Sequence, residues 1–169
     1  TRFYRFLEDD YTVYLVGRRP GMPAGYTLAD MANDYATMIR EEFGGPVDVI
    51  GLSTGGAIAL CFAVEHPDLV RRLVIHSSAY RLGETGRATQ REVARLIRQG
   101  RWRDASAVLV RTAMPPDEWY TGMAVAAISL LMSLDAPKDP SDVLTTIEAE
   151  DQFDFRDRLG GIKAPTLGA

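Results

Sequence analysis

The residues Gly51-Leu52-Ser53-Thr54-Gly55 set a serine between two glycines, the spacing at which a hydroxyl can be presented as a nucleophile. Ahead of it, the β-branched run Val47 to Ile50 has the composition of a buried strand, and behind it the apolar run Ala57 to Val64 that of a buried helix. A serine at such a junction occupies the tip of a strained turn that lifts it clear of the sheet, the arrangement called a nucleophile elbow. The flanking glycines, with Gly56 beyond them, are expected to be needed because a Cβ there would collide with the neighbouring helix or strand. The following helix aims its unpaired N–H groups and the positive end of its dipole at the same spot. An oxyanion forming beside Ser53 would therefore meet the backbone N–H of Thr54. The pentapeptide alone is a weak signal, because a serine in an ordinary strand-to-helix turn has the same spacing.

Such a site also needs a general base within hydrogen-bond reach of the hydroxyl. Two histidines are present, His66 and His76. His66 falls near the far end of the helix that begins at Ser53, roughly 20 Å away at 1.5 Å per residue, which excludes it. His76 stands near the end of the next strand, on the correct side of the sheet, where packing or hydrogen bonding beside Ser77 and Ser78 is the competing role. Glu84, Asp135, Asp139, Asp151 and Asp154 fall in loops and read as surface or capping groups. The single cysteine, Cys61, lies inside the apolar helix, where a thiol packs as a small hydrophobe, so neither an internal disulfide nor a two-cysteine metal site can form. No cofactor and no metal are expected.

The elements that must position Ser53 are legible in chain order. Thr1 to Leu7 is an aromatic-rich segment expected to be helical, and Thr12 to Val16 reads as a strand. A loop rich in Gly and Pro follows over Gly17 to Gly25. Thr27-x-x-Asp30 is a capping-box-like start for a helix carrying Leu28, Met31, Ala32, Tyr35, Ile39 and Phe43 at helical spacing, stopped by Gly44-Gly45. Pro46 opens the elbow strand, His66-Pro67 breaks the chain after the elbow helix, and Leu73 to Ser77 gives a third strand. Alternating strands and helices imply parallel crossovers and an α/β sheet covered on both faces, with a ligand site beyond the carboxyl ends of the strands. Ser53 stands at such an end.

From residue 79 to about 150 the pattern changes to helix after helix. Val93, Leu96 and Ile97 mark one helix, and Ala105, Val108 and Leu109 a second. A longer third carries Trp119, Met123, Ala126, Ala127, Leu130, Leu131 and Leu134, and a last begins at Ser141 with Leu144 and Ile147. Pro115-Pro116, Pro137 and Pro140 punctuate them. Residues 1–78 are thus expected to form part of an α/β core, 79–150 a helical cap over the site, and 151–169 a return to the core, where Ile162 to Leu167 begins another strand. The bland alternative is that these helices only complete the core. Arg87, Arg91, Arg95, Arg98, Arg101 and Arg103 fall mostly opposite Val93, Leu96 and Ile97, the pattern of a solvated helix face rather than an anion site.

Composition narrows the partners. In 169 residues with 46% hydrophobic and 25% charged content, 19 Lys plus Arg are outnumbered by 23 Asp plus Glu, which argues against a nucleic-acid surface. Met123 to Leu134 is too short to cross a bilayer and contains Ser129 and Ser133, so no membrane partner is expected. A cytoplasmic location is the default expectation. Oligomeric state is not legible.

Three stretches carry a resemblance over nearly the whole chain. Val47 to Gly56 is similar to the strand, elbow and helix of the α/β-hydrolase superfamily, in its serine-nucleophile branch. Glu65 to Ile75 resembles that family's connection to the next strand, and Phe155 to Leu167 its lead-in to the strand after which the catalytic acid stands. The resemblance implies an α/β-hydrolase fold, a parallel doubly wound sheet with a helical cap insertion, and a Ser53 acyl-enzyme that cleaves an ester or related acyl bond of an apolar small-molecule substrate. Serine at the elbow argues against the dehalogenase and epoxide-hydrolase branches, which use aspartate. Esterases, lactonases, carbon–carbon bond hydrolases, acyltransferases and perhydrolases stay open. The chain departs from the family in three places. The strand that ends in a His-Gly-type oxyanion loop, between the one at Thr12 to Val16 and the elbow strand, is absent. The loop after Val16 reads Gly17-Arg18-Arg19-Pro20-Gly21-Met22-Pro23 where the family often has Asp-x-Arg-Gly-x-Gly. The acid-bearing strand has barely begun at Leu167, and the catalytic histidine is missing. The sequence thus resembles the middle of a hydrolase. The alternative is a non-catalytic binding or interaction protein that keeps the elbow without the base.

Overall fold

Thr27 starts the first long helix by the mechanism its sequence predicts. Its hydroxyl accepts a hydrogen bond from Asp30 N at 3.1 Å while the Asp30 carboxylate accepts one from Thr27 N at 2.9 Å, satisfying two N–H groups that the helix itself leaves unpaired. In this computed structural model, which describes residues 2–115 and 118–168, the helix is α1, Leu28–Glu42. The breaker Pro116 and the terminal Thr1 and Ala169 lie outside the described residues. The segment before α1 opens with a 3-10 helix, Arg2–Leu7, matching the helical expectation in a tighter form. Gly44 ends α1 at φ 68°, and its N–H caps the carbonyl of Ile39 at 3.1 Å.

Three strands form one parallel sheet in the order β1 (Val47–Leu52), β2 (Val70–His76), β3 (Thr166–Gly168). Between β1 and β2 the chain crosses over through α2, Thr54–Glu65, whose residues from Gly56 to Ala63 are all buried. This apolar helix joins α1 and β2 in one core with Met31, Ala36, Ile58, Phe62, Leu73 and Phe155. Cys61 is buried in it, and burial pushes its thiol pKa up to about 11, so the thiol packs as a neutral hydrophobe. Since successive strand residues alternate faces and Gly51 faces α2, Ile50 and Leu52 face the other way. They are 42% and 48% exposed, so among the described residues this second face is incompletely covered.

The strand expected at Thr12 to Val16 does not form. These residues run as irregular backbone with Tyr14, Leu15 and Val16 exposed, anchored by an edge-on contact of Tyr14 with Phe43 at 4.9 Å between ring centroids. A strand exists only where a neighbour completes its ladder. Here a groove of ≈ 970 Å³, lined by Val13, Tyr14 and Val16 on one side and Val47, Val49 and Ile50 on the other, separates the segment from the free edge of β1.

After β2 come α3 (Glu84–Arg98), α4 (Trp102–Ala113), α5 (Thr121–Leu134) and α6 (Ser141–Asp151). A second apolar cluster, distinct from the first, joins Val93, Leu96 and Ile97 of α3 to Ala105 of α4 and Ile147 of α6. The arginines of α3 behave as a solvated face with partners. Arg91 pairs with Asp151 at 3.0 Å and Arg98 with Glu148 at 2.8 Å, lacing α3 to α6, while Arg95 pairs with Glu92 along its own helix. In α5 the residues that mark the helix in the sequence are not the ones it buries. Thr121, Val125 and Ser129, spaced four apart, face inward, whereas Met123, Leu130, Leu131 and Leu134 are exposed. Apolar residues on nearly every side leave periodicity unable to choose a face, and the small ones allow close approach to α4.

Candidate active site at the end of the first strand

Ser53 follows the last residue of β1 and caps α2, with φ 53° and ψ −126°, a region that L-residues with a side chain rarely enter. The turn is held from both sides. Ser53 N donates to the carbonyl of His76 at 3.0 Å, extending the β1–β2 ladder by one bond, and Gly56 N donates to the Ser53 carbonyl at 2.8 Å. The Ser53 side chain makes no capping bond and is exposed. The Thr54 N–H is the first of α2 and has no carbonyl within the helix to meet.

The glycine requirement is sharper than its pattern suggests. A Cβ on Gly51 would come within 2.6 Å of Gly56 Cα and 2.8 Å of Ala59 Cβ, so strand and helix can touch only if this residue is glycine. A Cβ on Gly56 would run into the Cβ of Ser78. Gly55, the second glycine of the pentapeptide, has open space where its Cβ would be, so the expectation that it avoids a collision is corrected. The close approach belongs to Gly51, which faces α2, and to Gly56, which faces β1 and Ser78 beyond the end of β2.

Neither histidine serves Ser53 through its side chain among the described residues. His66 lies beyond the far end of α2, its Nε2 2.8 Å from Asn33 Oδ1 and its Nδ1 3.4 Å from Arg40. His76 pairs with Leu52 in the strand register and contributes its backbone carbonyl to the turn, while its ring is exposed. The next residue, Ser77, has φ 51°, so two adjacent strand ends leave the sheet through a residue of positive φ. Of the carboxylates read as capping groups, Asp139 accepts from Ser141 N at 2.9 Å and Asp154 from Arg156 N at 3.1 Å. Asp151 pairs with Arg91, and Glu84 opens the first turn of α3.

Sequence reasoning missed a buried carboxylate. Glu150, in the last turn of α6, is buried and accepts a hydrogen bond from Gln90 Nε2 of α3 at 2.9 Å. Burial pushes its pKa above the usual carboxylate range, against the Thr54 and Gln90 hydrogen bonds and the field of Arg18, which favour the charged form. The signal was present: Glu150 follows Ile147 by three and Thr146 by four residues, on the stripe that α6 buries. A second carboxylate, Asp142 at the start of α6, accepts from Gly21 N at 2.9 Å and Met22 N at 2.8 Å. It ties the loop after the N-terminal segment to the same helix. The wall of the large groove includes Leu52 and Gly55, on either side of Ser53 in the chain.

Comparison with known proteins places this geometry. A family model described as "Alpha/beta hydrolase family" matches residues 1–165. A protein of Serratia proteamaculans named "Putative carbamate hydrolase RutD" is 27% identical over 151 residues, covering 86% of this chain and 55% of that protein. Its namesake in Yersinia enterocolitica is 41% identical over 69 residues, 40% of this chain and 25% of that protein. Among solved structures, MGS-M2, an alpha/beta hydrolase enzyme from a Medee basin deep-sea metagenome library, superposes with a TM-score of 0.73 at 17% identity, over 87% of this chain and 55% of its own. The chain thus spans about half the length, or less, of the relatives it matches.

Proposed function

Because the chain belongs to the α/β-hydrolase family, we propose that it carries the nucleophile of a serine hydrolase acting on an ester or related acyl bond. Ser53 attacks the acyl carbonyl, the bond to the leaving group breaks, and water releases the acyl group from the serine. The Thr54 N–H, at the positive end of α2, stabilises the negative charge on the carbonyl oxygen. The observation that carries this reading is the backbone of Ser53, at φ 53° and ψ −126°, in a turn that only Gly51 and Gly56 allow to close. Strain of about 1–3 kcal/mol at a residue with an exposed, uncapped hydroxyl is retained where the surroundings enforce it, and such positions cluster at active sites. The helices α3 to α6 form a cap after β2, a role supported by the separate apolar cluster that joins α3, α4 and α6. The substrate is a small apolar acyl compound, and the carbamate hydrolase named among the relatives adds carbamates to the acyl bonds worth testing.

The mechanism requires a histidine and a carboxylate that the described residues do not bring to the serine. The second reading is a binding protein that keeps the elbow without turnover. The full-length natural protein should be treated with a fluorophosphonate and with p-nitrophenyl esters and carbamates. Labelling at Ser53, with turnover lost in Ser53→Ala, is the expected result. A folded protein that is neither labelled nor active establishes the binding reading.

A further inference from the structure

Among the described residues, the helices α3 to α6 and the sheet share no buried apolar cluster. Val93, Leu96 and Ile147 belong to one, and Met31, Phe62 and Phe155 to the other. The chain passes between these two bodies twice, once after β2 and once after α6, and the two crossings are stitched side by side. Phe155 N donates to the Tyr80 carbonyl at 2.8 Å, and Arg156 donates to the Tyr80 hydroxyl at 3.2 Å. Arg81 and Asp154 form an isolated antiparallel bridge and an ion pair at 3.5 Å. Phe155, 1% exposed, fixes this clasp in the core.

The far end of α6 is held by one carboxylate. Asp142 accepts from Gly21 N on Oδ2 and from Met22 N on Oδ1, so its two oxygens close on successive amides of one loop. Gly21 joins these amides at φ 72°, a backbone turn that lets neighbouring N–H groups converge on an anion, and Met22 is buried in the core cluster. Between the clasp and this carboxylate the seam is not filled. A cavity of ≈ 260 Å³ is lined by Tyr26, Leu28 and Cys61 on the core side and by Thr145, Ala149 and Phe153 on the other. Atoms that face a void lack partners there, so this seam separates at less cost than a filled one. Toward α3, in contrast, α6 is bonded along its length, Glu150 to Gln90, Asp151 to Arg91 and Glu148 to Arg98.

We propose that α3 to α6 move as one lid, hinged where Tyr80 and Arg81 cross Asp154 and Phe155 and latched by Asp142 on the Gly21 and Met22 amides, so that release of the latch lifts α6 and opens the seam over Cys61. The motion stands on these contacts alone, whereas its bearing on turnover rests on Ser53 being the nucleophile.

Cys61 reports the opening, because its thiol lines the cavity and is buried while the seam is closed. The full-length natural protein is compared with Asp142→Ala, Gly21→Ala and the double variant. Modification by iodoacetamide at one fixed pH is followed by mass spectrometry on the peptide that contains Cys61. Alanine at 142 removes both acceptor oxygens, and alanine at 21 meets nothing within 4 Å, so it acts only by disfavouring the φ of 72°. Each single variant is expected to raise the rate about fivefold to tenfold, the size of one net hydrogen bond or one left-handed residue. The double variant should be no faster than the faster single one, because one latch can be released only once. The rate should also stay level in urea well below the unfolding midpoint, the mark of an opening that exposes little surface. Single variants that match the wild type, or effects that multiply in the double variant, overturn the latch. A rate that climbs with urea at the slope of global unfolding overturns the lid. Fluorophosphonate labelling of Ser53 is measured alongside: if it is absent from every protein, the hydrolase reading fails, and the Cys61 rates still decide the latch. Should D142A not fold, Asp142→Asn, which keeps a single acceptor oxygen, takes its place in the comparison.

Discussion

Ser53 holds its uncommon backbone because two glycines let helix and strand meet around it, and a third glycine is a bystander. Alanine at Gly51 would put a methyl group 2.6 Å from the Cα of Gly56 and 2.7 Å from the carbonyl oxygen of Gly55, backbone of α2 with no flexible side chain to yield. The strand must shift from α2 or the elbow must open, and overpacking of this kind costs about 1–3 kcal/mol. Gly55→Ala meets nothing within 4 Å and also gains helix propensity, so it is expected to leave stability unchanged or slightly raised. Urea unfolding of the two variants reads the difference directly. Equal losses at both positions would show that the pentapeptide glycines act together and that the close approach at Gly51 is not the constraint. The sequence identified the turn but not which glycines it depends on, because a spacing pattern says nothing of what lies across the gap. Glu150 shows the converse. Its place on the buried stripe of α6 follows from helical period, yet nothing in the sequence says that Gln90, 60 residues away, bonds to it.

At the scale of elements, what is local was legible. The capping box of α1 needs only residues 27 to 30, and it forms as its spacing implies. In Thr27→Ala the bond from Asp30 N to the Thr27 hydroxyl and that from the hydroxyl to Asp30 Oδ2, at 2.6 Å, are both lost, and loss of such a cap costs about 1 kcal/mol. The Thr27 hydroxyl first, and then the Thr27 N–H, hold the Asp30 carboxyl below its usual range, and the variant loses the hydroxyl's share. A group depressed in the folded state adds stability above its unfolded pKa and loses it as pH falls through its folded value. The cost of T27A is therefore expected to be largest near neutral pH and to shrink in acid, as thermal unfolding at pH 7 and pH 3 would show. A cost unchanged between the two would assign the cap to the neutral bond alone. The segment Thr12 to Val16 failed for the opposite reason. Its β-branched and aromatic residues favour a strand, but a strand needs a paired neighbour, and here the segment lines the groove along β1 instead.

For the molecule as a whole, the sequence fixes which residues are apolar and leaves open which of them are inside. The exposed side of α5 presents Met123 at 64%, Leu131 at 67% and Leu134 at 76% exposure, and the second face of the sheet adds Leu52 at 48%. Exposed apolar side chains of this kind promote association, because each one removed from water contributes roughly 1.5–3 kcal/mol. A polypeptide of these 169 residues is accordingly expected to bind a hydrophobic dye in its folded state and to self-associate with rising concentration in sedimentation velocity. Lysine at Leu131 and Leu134 together should reduce both signals while changing stability by no more than about 0.5 kcal/mol, as exposed substitutions generally do. Lysine at Val125, 3% exposed on the opposite side of the same helix, should instead unfold α5 from α4. If L131K/L134K leaves dye binding and association unchanged while V125K is tolerated, the helix is turned the other way in solution, and its inward face is the one the sequence pattern first suggests.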